Sequence, residues 1–292
     1  MEKKLTEAVI RKALSKNRWE KLATAVELKI DESTVRRLCR KYCINTDEEK
    51  KKIAGSIKPE VFPILASKNK VKARPGTFVV IPDTHAQYYV RPALDAVIAF
   101  IKEYRPEIVV HLGDLIDNEC LMAKVKAKIP TFDEADVKSL DTEFFYGNEI
   151  LDKIDEAVPA DCKKVFLAGN HEFRADLILK QYPNFAKLID YKDRLKLEER
   201  NWEYHPYLEP IKIGKLYLIH GEFYKINHVR KHLIHYSKNI MCGHTHTVEQ
   251  GTLASPMREI AVWGASIGCL CNLSPDYQRN KRNAWDHGFA YG

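Results

Sequence analysis

Five short apolar runs constrain how this chain can fold: Thr77–Ile81, Ile108–Leu112, Val165–Ala168, Leu216–Ile219 and Ile240–Cys242. Each has the length and the unbroken apolar character of a buried strand. The first three are separated by helical patterns, Leu94–Tyr104 and a longer one near Val137–Ile154. In the longer one, Val137, Leu140, Phe144, Leu151 and Ile154 recur at helical spacing. Strands alternating with helices predict an α/β domain built on an inner sheet.

Every one of these runs ends in residues able to hold a metal ion. The first gives Asp83-Thr84-His85, the second Gly113-Asp114 followed by Asp117, and the third Gly169-Asn170-His171-Glu172. The fourth ends at His220-Gly221 and the fifth at Gly243-His244-Thr245-His246. Open α/β sheets gather their sites at the carboxyl ends of neighbouring strands. In extended backbone, residues two apart face one way, so His244 and His246 can address one spot. Any one cluster alone is equally read as hydrogen-bonded histidines or turn caps; five in series are not. Carboxylate oxygens with imidazoles and no thiolate suit manganese, with iron, zinc or nickel as alternatives, rather than a structural zinc knot.

The net charge of +7 is unevenly placed. Residues 1–72 hold 19 Lys and Arg against 10 Asp and Glu, a net of +9, so the remainder carries −2. Such asymmetry speaks of partners, chiefly nucleic acid, and its bland reading is a solvated Lys-rich surface. Three helices are expected here, over residues 4–15, 18–28 and 32–42, with Thr6 and Asp31-Glu32-Ser33 as capping starts. The stretch Trp19–Tyr42 resembles a helix-turn-helix of the DNA-binding kind, its third helix exposing Arg36, Arg37, Arg40 and Lys41. Tri-helical modules of this pattern also bind proteins. Residues 45–75 read as a linker, lysine-rich and broken by Pro59, Pro63 and Pro75-Gly76, with an apolar patch Val61–Leu65 able to dock on the next domain.

No run approaches the ~20 apolar residues that cross a bilayer, and the charged N-terminus lacks a signal-peptide segment. Seven cysteines without zinc-finger spacing read as reduced thiols of a cytoplasmic protein that engages no membrane.

The ordered series D-x-H, G-D-x-x-D, G-N-H-[DE], a lone His and G-H-x-H resembles the calcineurin-like metallophosphoesterase superfamily over about residues 77–271. The resemblance implies an α/β fold, a sandwich of two β-sheets flanked by helices, occupying 76–292 behind a small all-α module at 1–44. It implies two divalent ions, one held by Asp83, His85 and His246 and the other by Asn170, His220 and His244, with Asp114 bridging. A hydroxide between the ions would attack phosphorus, His171 would stabilise or protonate the leaving oxygen, and Asp117 would hold the other ring nitrogen of His171. Two ions, two carboxylates and a hydroxide leave a residual +1 that attracts a phosphate ester.

One departure bears on substrate. Monoesterases of the family often carry Arg directly after the second Asp of G-D-x-x-D, where this chain has Asn118. That leans toward a phosphodiesterase or nuclease acting on nucleic acid or a nucleotide, with Arg174 as a possible replacement cation. The alternatives are a phosphomonoesterase or protein phosphatase, or a DNA-binding regulator with a secondary esterase domain. His228, His232 and His235 share a helix face that is read as solvated or phosphate-facing, with a third metal site as the alternative; His111 is read as a core residue. Gly251–Trp263 reads as a hairpin and Gly264-Ala265-Ser266 as a closing turn. The tail Arg282–Phe289 is similar to the ends of phage or prophage members, and the chain stops at Gly292 where a further strand is expected to begin, as if truncated.

Overall fold

The computed structural model describes residues 5–16, 21–46, 48, 76–127, 130–254, 260–275 and 283–292. The chain divides into two compact units, Met1–Lys70 and Val71–Gly292. The linker lysines, the Val61–Leu65 patch and Trp19 lie outside the described residues.

In the first unit, α1 (Glu7–Lys16), α2 (Lys21–Leu28) and α3 (Glu32–Lys41) enclose Ile10, Leu14, Ala25, Val35, Cys39 and Ile44. Ile10 and Leu14, four apart, fall on one helix face, as do Val35 and Cys39. The same period turns Arg36, Arg37, Arg40 and Lys41 outward, where all four are exposed. Lys29, at φ 56°, turns the chain between α2 and α3. Asp31 holds the N-cap backbone of α3, but its side chain makes no capping hydrogen bond, so the expected cap is not formed. Tyr42 Oη donates to the Leu5 carbonyl at 3.1 Å and ties the end of α3 to the approach to α1.

The second unit holds two five-stranded sheets. The first runs β10-β1-β2-β3-β4, with β1 (Phe78–Ile81), β2 (Ile108–His111), β3 (Lys163–Leu167) and β4 (Trp202–His205) parallel and β10 (Ala290–Tyr291) antiparallel. The second runs β5-β6-β7-β9-β8, with β6 (Leu216–Ile219), β7 (Asn239–Cys242) and β9 (Val262–Ile267) parallel. Its edges β5 (Ile211–Ile213) and β8 (Val248–Leu253) are antiparallel. The hairpin anticipated at Gly251–Trp263 is the β8–β9 pair, whereas Gly264-Ala265-Ser266 lies inside β9 and is not a turn.

Alternation along each strand partitions two cores. Val80, Val110, Val165 and Leu167 meet Leu218, Met241 and Ile267 between the sheets. Val79, Ile81, Val109 and Phe166 face the opposite way. They pack under α4 (Arg91–Tyr104), α5 (Glu134–Ala157) and α6 (Asn170–Leu179), which present Leu94, Ile101, Leu140, Ile154 and Ile178. Burial on both faces is why these strands read as unbroken apolar runs. The outer face of the second sheet is covered by α7 (His228–Tyr236), through Val229 and Leu233 against Ile219 and Ile240. The order is helix, sheet, sheet, helix. The 24-residue α5 starts at a reciprocal cap, in which Asp133 Oδ1 accepts the Asp136 N–H at 2.8 Å and Asp136 Oδ2 accepts the Asp133 N–H at 3.1 Å. Among the described residues, no helix is long and apolar enough to cross a membrane.

Candidate metal centre

Parallel pairing of β1, β2 and β3, in the registers Val79↔Val109 and Val110↔Val165, brings Asp83, Asp114 and Asn170 to one sheet edge. The β6–β7 pair, with Leu218 opposite Met241, brings His220 and His244 to a common edge in the same way. The backbone leaves each strand through tight bends. His85, Asp114, His244 and His246 have φ values of 53°, 48°, 68° and 58°, in the left-handed region that non-glycine residues rarely adopt. Each costs on the order of 1 kcal/mol, and such strain clusters at functional sites. Two glycines permit close approach: a Cβ on Gly169 would collide with Asp114 Oδ1, and one on Gly243 with Asp83 Oδ1.

Among the described residues four groups of donor atoms result, and Asp114 belongs to two of them: one with Asp83 and His85, the other with His220 and His244. His85 also groups with His246 and Cys271, and with Asp117 and His171, the atoms of each group lying within 4.8 Å of one another. His85 Nε2 lies 2.9 Å from His246 Nε2, and His246 Nε2 lies 3.2 Å from Asp83 Oδ2. Asn170 Oδ1 lies 2.9 Å from His220 Nε2, which is 3.2 Å from His244 Nδ1 and 3.3 Å from Asp114 Oδ2. All seven residues expected from the sequence as ligands thus converge.

The tautomers test whether a cation fits. His220 Nδ1 donates to the Leu112 carbonyl at 2.9 Å, and a carbonyl can only accept. In the neutral ring, Nε2 therefore presents a lone pair to Asn170 Oδ1 and Asp114 Oδ2, which are acceptors themselves. His85 Nδ1 donates to Asp117 Oδ1 at 2.9 Å, leaving its Nε2 as a lone pair as well. Carbonyl and carboxylate partners that orient imidazoles in this way are typical of metal sites. Imidazole lone pairs that face oxygens unable to donate to them are satisfied by a cation, and these residues fit two.

The electrostatics agree. Burial pushes the Asp83 carboxyl up, but His220 and His246 outweigh it and hold it at about 2. Burial likewise opposes ionisation of Asp114, yet His171 and His220 keep it well below the usual carboxylate range. Burial alone would lower His220, whereas Asp114 and Asp83 lift it to about 9. The carboxylates thus demand positive charge at this point. Burial and the nearby His220 drop His244 to about 4, leaving it in the neutral form that ligates metal.

His171 stands beside the ligands. Its Nδ1 donates to the Asp117 main-chain carbonyl at 2.7 Å, and its Nε2 lies 3.7 Å from Asp114 Oδ2. Asp117 therefore has two tasks where the sequence pattern suggested one: its carbonyl holds His171, while its carboxylate orients His85. Burial opposes protonation of His171, but Asp114 and Asp117 prevail and raise it above its ordinary value. The Arg174 guanidinium lies along the ring, 3.3 and 3.2 Å from its two nitrogens, and donates to the Asp117 carbonyl at 2.7 Å. Asn118 is fully buried and donates to the His171 carbonyl at 3.0 Å, so it supports the loop rather than gripping substrate.

Two further carboxylates support the site: Glu172, which closes the G-N-H-[DE] block but had no role assigned from sequence, and Glu143, which lies outside every motif. Glu172 is fully buried and accepts the main-chain N–H groups of Asp114, Leu115, Ile116 and Gly169, at 2.8–3.2 Å. It locks the Asp114 loop to the start of α6. Glu143, also fully buried, accepts from Asn118 and Glu119. The available signal was its position on the apolar face of α5, beside Leu140 and Phe144. Cys271, whose Sγ lies 3.8 Å from His246 Nδ1, left no readable pattern.

Among the described residues, the three histidines of α7 belong to no group of donor atoms able to hold a metal. Contrary to the solvated face expected, His228 and His232 are buried and hydrogen-bonded, while His235 is exposed. His228 Nδ1 pairs with Glu249 at 2.9 Å, and its Nε2 meets Ser266 Oγ at 2.9 Å and Thr245 Oγ1 at 3.1 Å. His232 Nδ1 donates to the His228 carbonyl at 2.8 Å, and its Nε2 accepts the Glu222 N–H at 3.2 Å. Burial lowers His232 to about 4, below the ~6.5 of an unfolded chain. The unfolded state then binds more protons between these values, so stability is full above about 6.5 and is lost as pH falls toward 4. In the metal-free protein, His232→Gln should flatten this acid loss by on the order of 3 kcal/mol, read by denaturant unfolding from pH 4 to 7. Parallel curves would show that His232 is not the titrating group. His111 is buried against Thr84 Oγ1 at 3.3 Å and accepts the Gly113 N–H, a core residue as expected.

The model of one family, calcineurin-like phosphoesterase, matches residues 76–248, more than half of the chain. Among solved structures, one crystal structure is similar at 12% identity and a TM-score of 0.31, over 58% of this chain and 68% of that one. None of the curated proteins matches.

Proposed function

Since the chain belongs to the calcineurin-like phosphoesterase family and is an enzyme of metal-dependent phosphate-ester hydrolysis, we propose that it is a dinuclear phosphodiesterase acting on nucleic acid or a nucleotide. The observation that carries the dinuclear reading is the pair of donor groups sharing Asp114. In our reading Asp83, His85 and His246 hold one ion, Asn170, His220 and His244 the other, and Asp114 bridges. Two divalent ions held by these residues would supply Lewis-acid stabilisation of the phosphoryl oxygens and would acidify a bound water. Manganese is the ion we favour for these oxygen and imidazole donors, ahead of iron, zinc or nickel.

The residues around the ions do the rest. His171, fixed through Nδ1 by the Asp117 carbonyl, is placed to serve the leaving oxygen through Nε2 as a general acid. Arg174 adds a single cation beside it, which suits the monoanion of a diester better than a dianion. The absence of a guanidinium at Asn118 supports the same choice. Arg36, Arg37, Arg40 and Lys41, exposed together on α3, support phosphate-backbone contacts by the basic N-terminal unit in the manner of a helix-turn-helix.

The test is turnover by the manganese-loaded protein of a generic diester and a generic monoester, extended to single-stranded DNA, duplex DNA, RNA and cyclic nucleotides. We expect the diester to be preferred at least about tenfold, and a monoester preference would falsify the diesterase reading. Binding of DNA should weaken with salt, with a log–log slope about 3 to 4 shallower once the four basic residues are alanine. An unchanged slope removes the N-terminal unit from the interface.

A further inference from the structure

Each histidine of the Gly243–His246 loop has an aromatic ring standing against it. The Tyr224 ring lies 6.4 Å from His244 at 75°, and the Trp285 ring lies 4.2 Å from His246 at 74°. Core packing does not explain the first of these contacts. Tyr224 is 71% exposed, far more than an aromatic placed to bury apolar area, and it gives His244 little cover. Its hydroxyl has no protein partner among the described residues. Next to it Ile226 is 87% exposed and Lys225 is exposed, within the segment that joins His220 to α7. An exposed aromatic ring beside the donor residues offers a ligand a flat face to stack on.

Trp285 is half-buried, and its position is fixed by main-chain bonds. Its N–H donates to Asn283 Oδ1 at 3.1 Å, the Asp286 N–H donates to the His246 carbonyl at 2.9 Å, and the Cys269 N–H donates to the Asp286 carbonyl at 3.0 Å. The ring is therefore carried on the same framework as a metal ligand.

An occupant must offer a flat π-face within one residue's reach of a phosphate. A phosphorylated protein side chain of the serine type has no such face. A nucleobase has one, and stacking on an aromatic side chain accepts any base. We propose that Tyr224 is a base-stacking subsite on the His244 side of the centre, with Trp285 its counterpart on the His246 side and Lys225 beside the adjoining phosphate. The substrate class is then a nucleotide diester whose bases are unstacked, as in a single strand. This inference rests on the diesterase reading and adds a specificity determinant to it.

The experiment compares a thymidine dinucleotide with the same sugar–phosphate diester lacking both bases, using the full-length manganese-loaded protein. Stacking on one aromatic supports roughly tenfold in affinity. In Tyr224→Ala the ratio of kcat/KM for the dinucleotide over the abasic diester should fall about tenfold, mainly through KM, and Tyr224→Phe should restore it. An unchanged ratio overturns the proposal. If the wild-type protein cleaves neither diester, the diesterase reading fails, and binding then decides the subsite by calorimetry of thymidine 5′-monophosphate against deoxyribose 5-phosphate. An approximately tenfold preference for the base-bearing ligand that vanishes in Tyr224→Ala upholds the subsite; equal binding of both overturns it.

Discussion

Asp114→Asn is expected to lower kcat of the manganese-loaded enzyme by at least about a thousandfold, a barrier increase of about 4 kcal/mol. The side chain is 2% exposed and belongs to one donor group with Asp83 and His85 and to another with His220 and His244, so it links the two halves of the centre. The amide keeps the shape, and its oxygen can still accept the His171 N–H that Asp114 Oδ1 now receives at 2.9 Å. What it removes is one negative charge from between two dications, in a site too buried for water to replace it. Metal analysis should accordingly find fewer than two ions per chain. His246→Ala is the comparison, because in our reading His246 stands with His85 and Asp83 at one ion only and its loss should leave the other ion in place. Turnover within about tenfold of wild type with both ions retained would refute the bridging assignment.

His171→Ala should leave metal content unchanged and lower kcat by about 10² to 10³ on diesters with an alkoxide leaving group. The ring ligates nothing in our reading; its place is set by the Asp117 carbonyl at 2.7 Å and by Arg174. A nitrophenolate departs without needing a proton, so diesters of that kind should be hurt far less. Equal losses on both leaving groups would mean that His171 positions the loop and does not serve the leaving oxygen. Loss of metal would place it among the ligands.

Much of this was readable along the chain because of one geometrical fact. Parallel strands send their carboxyl ends to one edge, so Asp83, Asp114, Asn170, His220 and His244, each just past an apolar run, had to approach one another once the strands paired. The two faces of the sandwich were implicit in those runs too, since Val79 and Val80 could be apolar in succession only if both faces were buried. Edge strands were harder. Neither β4 nor β5 appeared as a strand from sequence, because half-exposed strands such as Trp202–His205 and Ile211–Ile213 lack the continuous apolar signature.

The helix carrying His228 and His232 shows the opposite failure. Polar residues at helical spacing read as a wet face, but that face packs against the second sheet and its imidazoles are satisfied by Glu249, Ser266 and main-chain groups. Side-chain polarity sets a preference for water, and a complete set of buried partners removes it.

Strand periodicity and strand-end chemistry are local properties, so the kind of domain and the identity of the converging donors were written along the chain. The division of tasks among them was not, and it came from the folded arrangement. Folding gave the Asp117 carbonyl to His171 and its carboxylate to His85, set Glu172 under the Asp114 loop, and stood Tyr224 and Trp285 against the two histidines of the Gly243–His246 loop. Those pairings join residues far apart along the chain, and nothing in local spacing encodes which distant group a hydrogen bond will find.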